Sequence, residues 1–323
     1  MEDSRRNKMH RLRCSLLPAI LLFAFPFFGH RSSAAAAERP YGRGLTEANQ
    51  ERLVIDDMEN IAAWTTDTPV ETTLSASEEH VKQGRHSLKF GNVVDYTRGE
   101  KNYPIGWPRM RKNLAKMHRT DWSGYDFFEC WIYCDSSRAA LPSTPIGLGF
   151  SHPGSGRRRS SSFSLKEVQK DRWVKIVIPI SKLLDPHDVQ SVQFNISESD
   201  YKHGDRVDFY IDDMALTRYI DPTVAALATD RRVLFSNDRQ ITALYTLMGH
   251  RDMDRVKIQF AIGSGEPALA RGQGTPSDPG ELLLRLERTL PPGDYWARLD
   301  LRDEGGRLID RRQSGFRVVA GPF

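Results

Sequence analysis

The stretch 207–217, "VDFYIDDMALT", decides how this chain folds. Val207, Phe209, Tyr210 and Ile211 are strand-forming residues, and the tetrapeptide Ile-Asp-Asp-Met within it recurs at 55–58 in "RLVIDDMEN" (52–60). Between the two copies lie further short apolar runs: "VETTLSAS" (70–77), "HSLKFGNVV" (86–94), "YDFFECWIYCD" (125–135), "IGLGFS" (146–151), "WVKIVIPI" (173–180) and "VQSVQFNIS" (189–197). Gly, Pro, Asn, Asp and Ser clusters separate them, and no regular helical period intervenes. Many short strands at such spacing predict an all-β sandwich. Runs apolar on both phases, such as "WVKIVIPI", suit strands covered on both faces.

A connector, "YIDPTVAALATD" (219–230), leads to a second strand series: "RVLFS" (232–236), "QITALYTLM" (240–248), "RVKIQFAIG" (255–263), "ELLLRLER" (281–288) and "GDYWARLDLRD" (293–303). An Asp-Glu-Gly-Gly hairpin and a final alternating strand follow, the edge of a smaller antiparallel sandwich. A length of 323 residues with 39% hydrophobic content suits two such domains.

The first 37 residues read as an export leader. They have a basic start (Arg5, Arg6, Lys8, Arg11, Arg13), an apolar run at 16–29 and small residues ending in an A-x-A site at Ala35–Ala37. The run is 14 residues long, short of the about 20 that span a bilayer, so no stable membrane insertion is expected after cleavage. Residues 1–37 carry six of the 46 Lys/Arg and two of the 42 Asp/Glu, leaving 46 − 6 = 40 against 42 − 2 = 40. The mature chain is formally neutral, and its charge gives no sign of a nucleic-acid partner. Cys130 and Cys134, four residues apart on one strand, are separated by about 13 Å, beyond disulfide reach, and read as buried apolar residues.

Five segments in order carry a resemblance: "VIDDMEN" (54–60), "VKQGRHSLKF" (81–90), "DWSGYDFFECWIYCD" (121–135), "DRWVKIVIPISKLL" (171–184) and "FYIDDMALTR" (209–218). Over about 50–218 the chain resembles the galactose-binding-like jelly rolls used as carbohydrate-binding modules, and the tail resembles an immunoglobulin-like accessory domain. With the leader at 1–37 and a polar lead-in at 38–50, the resemblance divides the rest into a jelly roll at 51–218, a linker at 219–230 and an immunoglobulin-like sandwich at 231–323. It further implies adjacent first and last strands in the jelly roll, a structural calcium on its rim, and recognition of a polysaccharide without catalysis. The protein is then secreted or periplasmic, acting beside separate glycan-degrading enzymes. A polysaccharide lyase or glycoside hydrolase on the same scaffold, or an adhesive envelope protein, are the competing readings.

With the two Ile-Asp-Asp-Met strands adjacent, about 4.8 Å apart, carboxylates from both can converge on a hard cation that needs six to eight oxygens. Following the resemblance, Glu59 and Asp212 are the expected calcium ligands. Asp57 and Asp213 are alternates, and carbonyls near Lys82 and Gly84 complete the shell. The competing reading leaves these acids solvated or bonded to strand-end amides. Sugar binding needs flat aromatic faces beside planar polar groups. The insert 95–122 offers Tyr103, Trp107, Arg109 and Arg111 in a Pro- and Gly-rich loop with a helical turn around 112–117, although Trp107 equally suits a plug under its own loop. Arg158, at the tip of "SGRRRSS", suits an acidic group on the ligand or a solvated turn. Trp64, Trp122, Trp131 and Trp173 are assigned to packing.

Overall fold

A computed structural model of the chain describes residues 45–98, 106–115, 120–153, 159–276 and 280–321. The expected leader and the candidate residues Tyr103 and Arg158 lie outside these. Among the described residues regular structure is strand with a few 3-10 turns and no α-helix, so the chain is all-β. No helix there is long and apolar enough to cross a membrane.

Eleven strands build the first sandwich: β1 (Gln50–Asp56), β2 (Trp64–Thr66), β3 (Thr72–Ser77), β4 (Ser87–Val93), β5 (Arg109–Asn113), β6 (Phe127–Ser136), β7 (Gly147–His152), β8 (Arg159–Ser164), β9 (Val174–Pro179), β10 (Ser191–Asn195) and β11 (Arg206–Tyr219). One sheet runs β3-β4-β11-β6-β9, with β1 also paired to β11, and the other runs β2-β5-β10-β7-β8. From β4 onward the chain passes repeatedly between the two sheets, the double-sheet jelly-roll architecture. Strand β11 explains the doubled tetrapeptide. Its first half, 206–211, pairs with β4, and its second half, 214–219, pairs antiparallel with β1. The copy at 211–214 sits where β11 changes neighbour, and a break in register there puts Asp213 at φ 55°.

Inward positions of both sheets meet in one core, in which Trp122, Phe128 and Phe150 are fully buried with ring centroids 5.0–5.6 Å apart. Such aromatic pairs contribute about 0.5–1.5 kcal/mol each beyond the area they bury. Trp64 is also buried, whereas Trp131 and Trp173 are half-buried. Cys130 and Cys134 are free and buried, and burial pushes both thiols up.

One inward position on β5 is charged. Lys112 points inward from β5 between Met110 and Leu114, and its Nζ pairs with the Asp56 carboxylate. Asp56 also accepts from Met58 N at 2.9 Å and Trp64 Nε1 at 2.8 Å. This pair corrects the sequence expectation for 109–113. "RMRKN" has little strand propensity, yet it pairs with β2 on one side and β10 on the other, and Asp56 gives its inward lysine a partner. Arg109 and Arg111 therefore stand on a strand, and strand occupies the start of the expected helical turn.

A second sandwich follows, with β12 (Thr223–Thr229), β13 (Val233–Phe235), β14 (Gln240–Met248), β15 (Lys257–Gly263), β16 (Ala270–Gly274), β17 (Gly280–Arg285), β18 (Gly293–Arg302) and β19 (Leu308–Val319). Its sheets run β12-β14-β17 and β13-β19-β18-β15-β16 around their own core, centred on Phe260, Ala297 and Leu299. At the junction, Asn49 and Asp221 exchange two hydrogen bonds, Asn49 Nδ2 donating to Asp221 O and Asp221 N donating to Asn49 Oδ1.

Candidate functional site

Alternation along β5 sends Met110 and Lys112 into the core and Arg109, Arg111 and Asn113 to the opposite face. Cross-strand register then sets three polar rows across the β2-β5-β10-β7-β8 sheet. Thr65, Arg111, Gln193, Gly149 and Ser162 form the middle row. Arg109, Asn195, Gly147 and Ser164 flank it on one side, with Asn113, Ser191, Ser151 and Ser160 on the other. At Gly149 the face has no side chain, and an added Cβ there would meet nothing nearer than Gln193 O at 3.9 Å. The result is a bare strip of sheet edged by guanidinium, amide and hydroxyl groups.

Trp107 stands at one end of this face. It is 44% exposed, and the Arg109 guanidinium lies 5.4 Å from its ring centroid. Asp67 sits between the two arginines, 3.2 Å from Arg111 Nη2 and 3.7 Å from Arg109 Nε. The structure thus brings together Trp107, Arg109 and Arg111, three of the five residues singled out for sugar contact.

The insert that carries Trp107 is closed by a residue the sequence reading did not single out. Glu198 is fully buried, and its Oε1 accepts from Asp95 N at 3.0 Å while its Oε2 accepts from Gly106 N at 2.9 Å. One carboxylate therefore ties both ends of the segment between 95 and 106. Glu71 is buried on the same side, and a Cβ on Gly106 would stand 2.5 Å from Glu198 Oε2 and 2.6 Å from Glu71 Oε1. Glycine is required here by close approach, and only the spacing "YPIG" before Trp107 hinted at it.

Glu59 and Asp212 meet at a different loop, 81–86. Asp212 Oδ2 accepts from the N–H groups of Lys82 and Gln83 at 2.8 and 3.0 Å. Glu59 Oε1 accepts from Arg85 and His86 at 2.6 and 3.2 Å, and its Oε2 lies 3.1 Å from His86 Nδ1. Gly84, at φ 76°, leaves room for that carboxylate. The amides of Arg85 and His86 hold the Glu59 carboxyl below the usual range. Burial pushes Asp212 up, against the pull of the Gln83 and Lys82 amides. Asp212 Oδ1 is buried without a hydrogen-bond partner, an oxygen that fits a cation or a proton. The two alternates stand elsewhere: Asp57 is exposed and accepts from Glu59 N, and Asp213 pairs with Arg52 at 2.5 Å. Among the described residues no three His, Cys, Asp or Glu side chains cluster as a metal site, so any cation here would draw further oxygens from backbone carbonyls.

No protein-family model matches the chain, and no curated protein matches it. Similar solved structures include a xylan-binding domain from CBM 22, 14% identical over 51% of this chain and 92% of that one, with a TM-score of 0.34. A tandem pair of CBM22 domains from Paenibacillus barcinonensis is 10% identical over 84% and 90%, with a TM-score of 0.32. CBM27-1 of Caldicellulosiruptor saccharolyticus, solved with mannohexaose, is 13% identical over 51% and 96%, with a TM-score of 0.32.

Proposed function

We propose that the chain is a secreted or periplasmic, non-catalytic carbohydrate-binding protein whose jelly roll recognises a polysaccharide on the outer face of the β2-β5-β10-β7-β8 sheet. The exposed indole of Trp107, stacked beside Arg109 at the end of a glycine-floored polar face, carries this reading. An indole covers the apolar face of a pyranose, while Arg111, Gln193, Asn195 and the serines of β7 and β8 supply planar and hydroxyl partners for sugar oxygens. Tyr103 and Arg158 complete the set from outside the described residues. Structural calcium at Asp212 and Glu59 belongs to the same proposal, supported by the partnerless Asp212 Oδ1. The second sandwich is read as immunoglobulin-like, supported by its three- and five-stranded sheets and by the parallel pairing of β13 with the last strand, β19. Residues 1–37 serve in this reading as the export leader, removed from the mature chain, and separate glycan-degrading enzymes are the expected companions.

A second reading, a polysaccharide-active enzyme, is favoured by one observation. Glu71 and Glu198 are two buried carboxylates whose oxygens converge beside Gly106, next to Trp107. Both Glu198 oxygens already accept backbone amides, which supports a tethering role for this carboxylate. A glycan array of residues 38–323 tests the proposal. Binding to a polysaccharide that is lost in Trp107→Ala is expected. No binding to any glycan overturns it, and release of reducing or unsaturated ends that disappears in Glu71→Gln moves the assignment to the enzyme.

A further inference from the structure

The outer face of the second sandwich carries its own aromatic platform. On β18, Tyr295, Ala297 and Leu299 point into the core, so Trp296, Arg298 and Asp300 point away from it. Trp296 is flanked across the sheet by glycine on both sides, Gly263 on β15 and Gly315 on β19. Its ring lies over Gly263, where a Cβ would stand 2.5 Å from the indole. Over Gly315 the sheet is open, since a Cβ there would meet only Tyr295 O at 3.9 Å. The indole is thus pressed onto backbone at Gly263, and the strip over Gly315 beside it is bare.

The next row is basic. Register sets Arg271 on β16, Ala261 on β15, Arg298 on β18 and Gln313 on β19 in line. Ala261 keeps the floor low between the two arginines, whose strands are two spacings, about 10 Å, apart. The Arg298 guanidinium stacks 4.8 Å from the Trp296 centroid. It donates from Nη1 to the exposed Glu266 at 2.8 Å, while its buried Nε has no hydrogen-bond partner. Asp300, the acid in the following row, is held by Arg311 at 2.7 and 2.8 Å and by Arg302 at 3.2 Å, and its Oδ1 lies 3.7 Å from Arg298 Nε. Beyond the β16 edge the basic character continues into a cleft that Arg271 shares with Arg285, Glu287 and Arg288.

A flat aromatic held on glycine beside low floor presents a stacking surface for a sugar ring. Guanidinium groups spaced along the neighbouring row and into the cleft complement negative charge repeated along a chain. We propose that this face is a second glycan site, for an acidic polysaccharide segment that stacks one ring on Trp296 and places uronate carboxylates against Arg298 and Arg271. It is separate from the jelly-roll site and stands whether or not that site binds sugar.

The test is isothermal titration of the full chain with polygalacturonate and with its fully methyl-esterified form, at about 0.15 M salt to screen loose charge attraction. The acidic form is expected to bind and the ester to bind at least about tenfold more weakly, because a charge-assisted bond is lost at each arginine. Trp296→Ala and Arg271→Glu should each weaken the acidic form at least about tenfold. The weakening by Arg271→Glu should persist in a Trp107→Ala background. Arg271 is exposed, so its reversal reports on binding even if Trp296→Ala unsettles the sheet around Gly263. Equal affinity for the two polymers, unchanged affinity in Arg271→Glu, or loss in Trp107→Ala alone would overturn the second site, and only the last of these would support the first.

Discussion

Asp212 and Glu59 hold one loop from its two ends. Asp212 receives the N–H groups of Lys82 and Gln83, Glu59 receives those of Arg85 and His86, and Gly84 turns between them. Asp212 reaches the loop from the point where β11 leaves β4 for β1, and Glu59 reaches it from just beyond β1. The doubled tetrapeptide thus marks a sheet junction, and the acids near it are used as amide acceptors as well as candidate metal ligands.

If a cation completes this arrangement, calcium should stabilise the protein. At a hundred times its dissociation constant a ligand of the native state adds about 2.7 kcal/mol, several degrees in Tm for sandwiches of this size. Differential scanning calorimetry with chelator and then calcium should show the rise, and Asp212→Asn should remove it. An unchanged Tm in the wild-type chain would leave Asp212 and Glu59 as loop acceptors only.

The Glu198 clamp predicts a coupled loss of stability and binding. Glu198→Ala leaves two amides, on Asp95 and Gly106, without an acceptor, each costing about 1–3 kcal/mol where water does not replace it. Gly106→Ala attacks the same place sterically, driving a methyl to 2.5 Å from Glu198 Oε2. Urea denaturation should show lowered midpoints for both, and glycan affinity should fall with them because Trp107 follows directly. Wild-type affinity in a folded Glu198→Ala protein would separate Trp107 from the clamp.

Lys112 and Asp56 form a buried ion pair, with Lys112 set between the core residues Met110 and Leu114. Removing one member of such a pair leaves an uncompensated charge and costs about 3–5 kcal/mol. Lys112→Met should therefore destabilise by about that amount in urea, even though methionine fills the same space. A change below about 1 kcal/mol would mean that Met58 N and Trp64 Nε1 alone satisfy the carboxylate.

The base of the insert should loosen in acid. The Thr97 hydroxyl and N–H hold the Asp95 carboxyl below its usual range. A depressed carboxyl contributes stability above its unfolded pKa, about 3.9, and that contribution is lost as pH falls through the folded value. Thermal melts of wild-type and Asp95→Asn chains should differ at neutral pH and converge toward pH 3. A constant gap across that window would assign the difference to something other than this titration.

Much of this was legible in the chain itself. The all-β architecture followed from strand-length apolar runs between turn residues, and both copies of Ile-Asp-Asp-Met mark strand segments that lie side by side. The candidate face was legible only in its residues. Arg109 and Arg111 looked like loop groups because "RMRKNLAKM" has helical composition and a lysine at what proves to be a core position. What makes it a strand is the partner carboxylate of Asp56 and two flanking strands, all distant in sequence. Glu198 was hidden for the same reason, since its partner Gly106 lies 92 residues away. Gly149 carries no signal of its own within "IGLGFS"; its cross-strand neighbours, Gln193 and Ser162, make it the floor of a polar face.

That glycine gives the most direct probe of the jelly-roll site. A Cβ at Gly149 would meet only Gln193 O at 3.9 Å and Ser161 O at 4.0 Å, and its backbone is ordinary strand. Gly149→Leu should therefore fold as well as the wild type or better, because glycine in a strand interior gives up about 1 kcal/mol of strand preference. The same leucine fills the strip between Gln193 and Ser162, where a sugar ring would have to lie. The expected outcome is an unchanged or raised Tm with glycan affinity reduced at least about tenfold, whereas Trp107→Ala loses affinity by removing a contact. A Gly149→Leu chain that melts normally and still binds at wild-type strength would move the glycan off this face of the sheet.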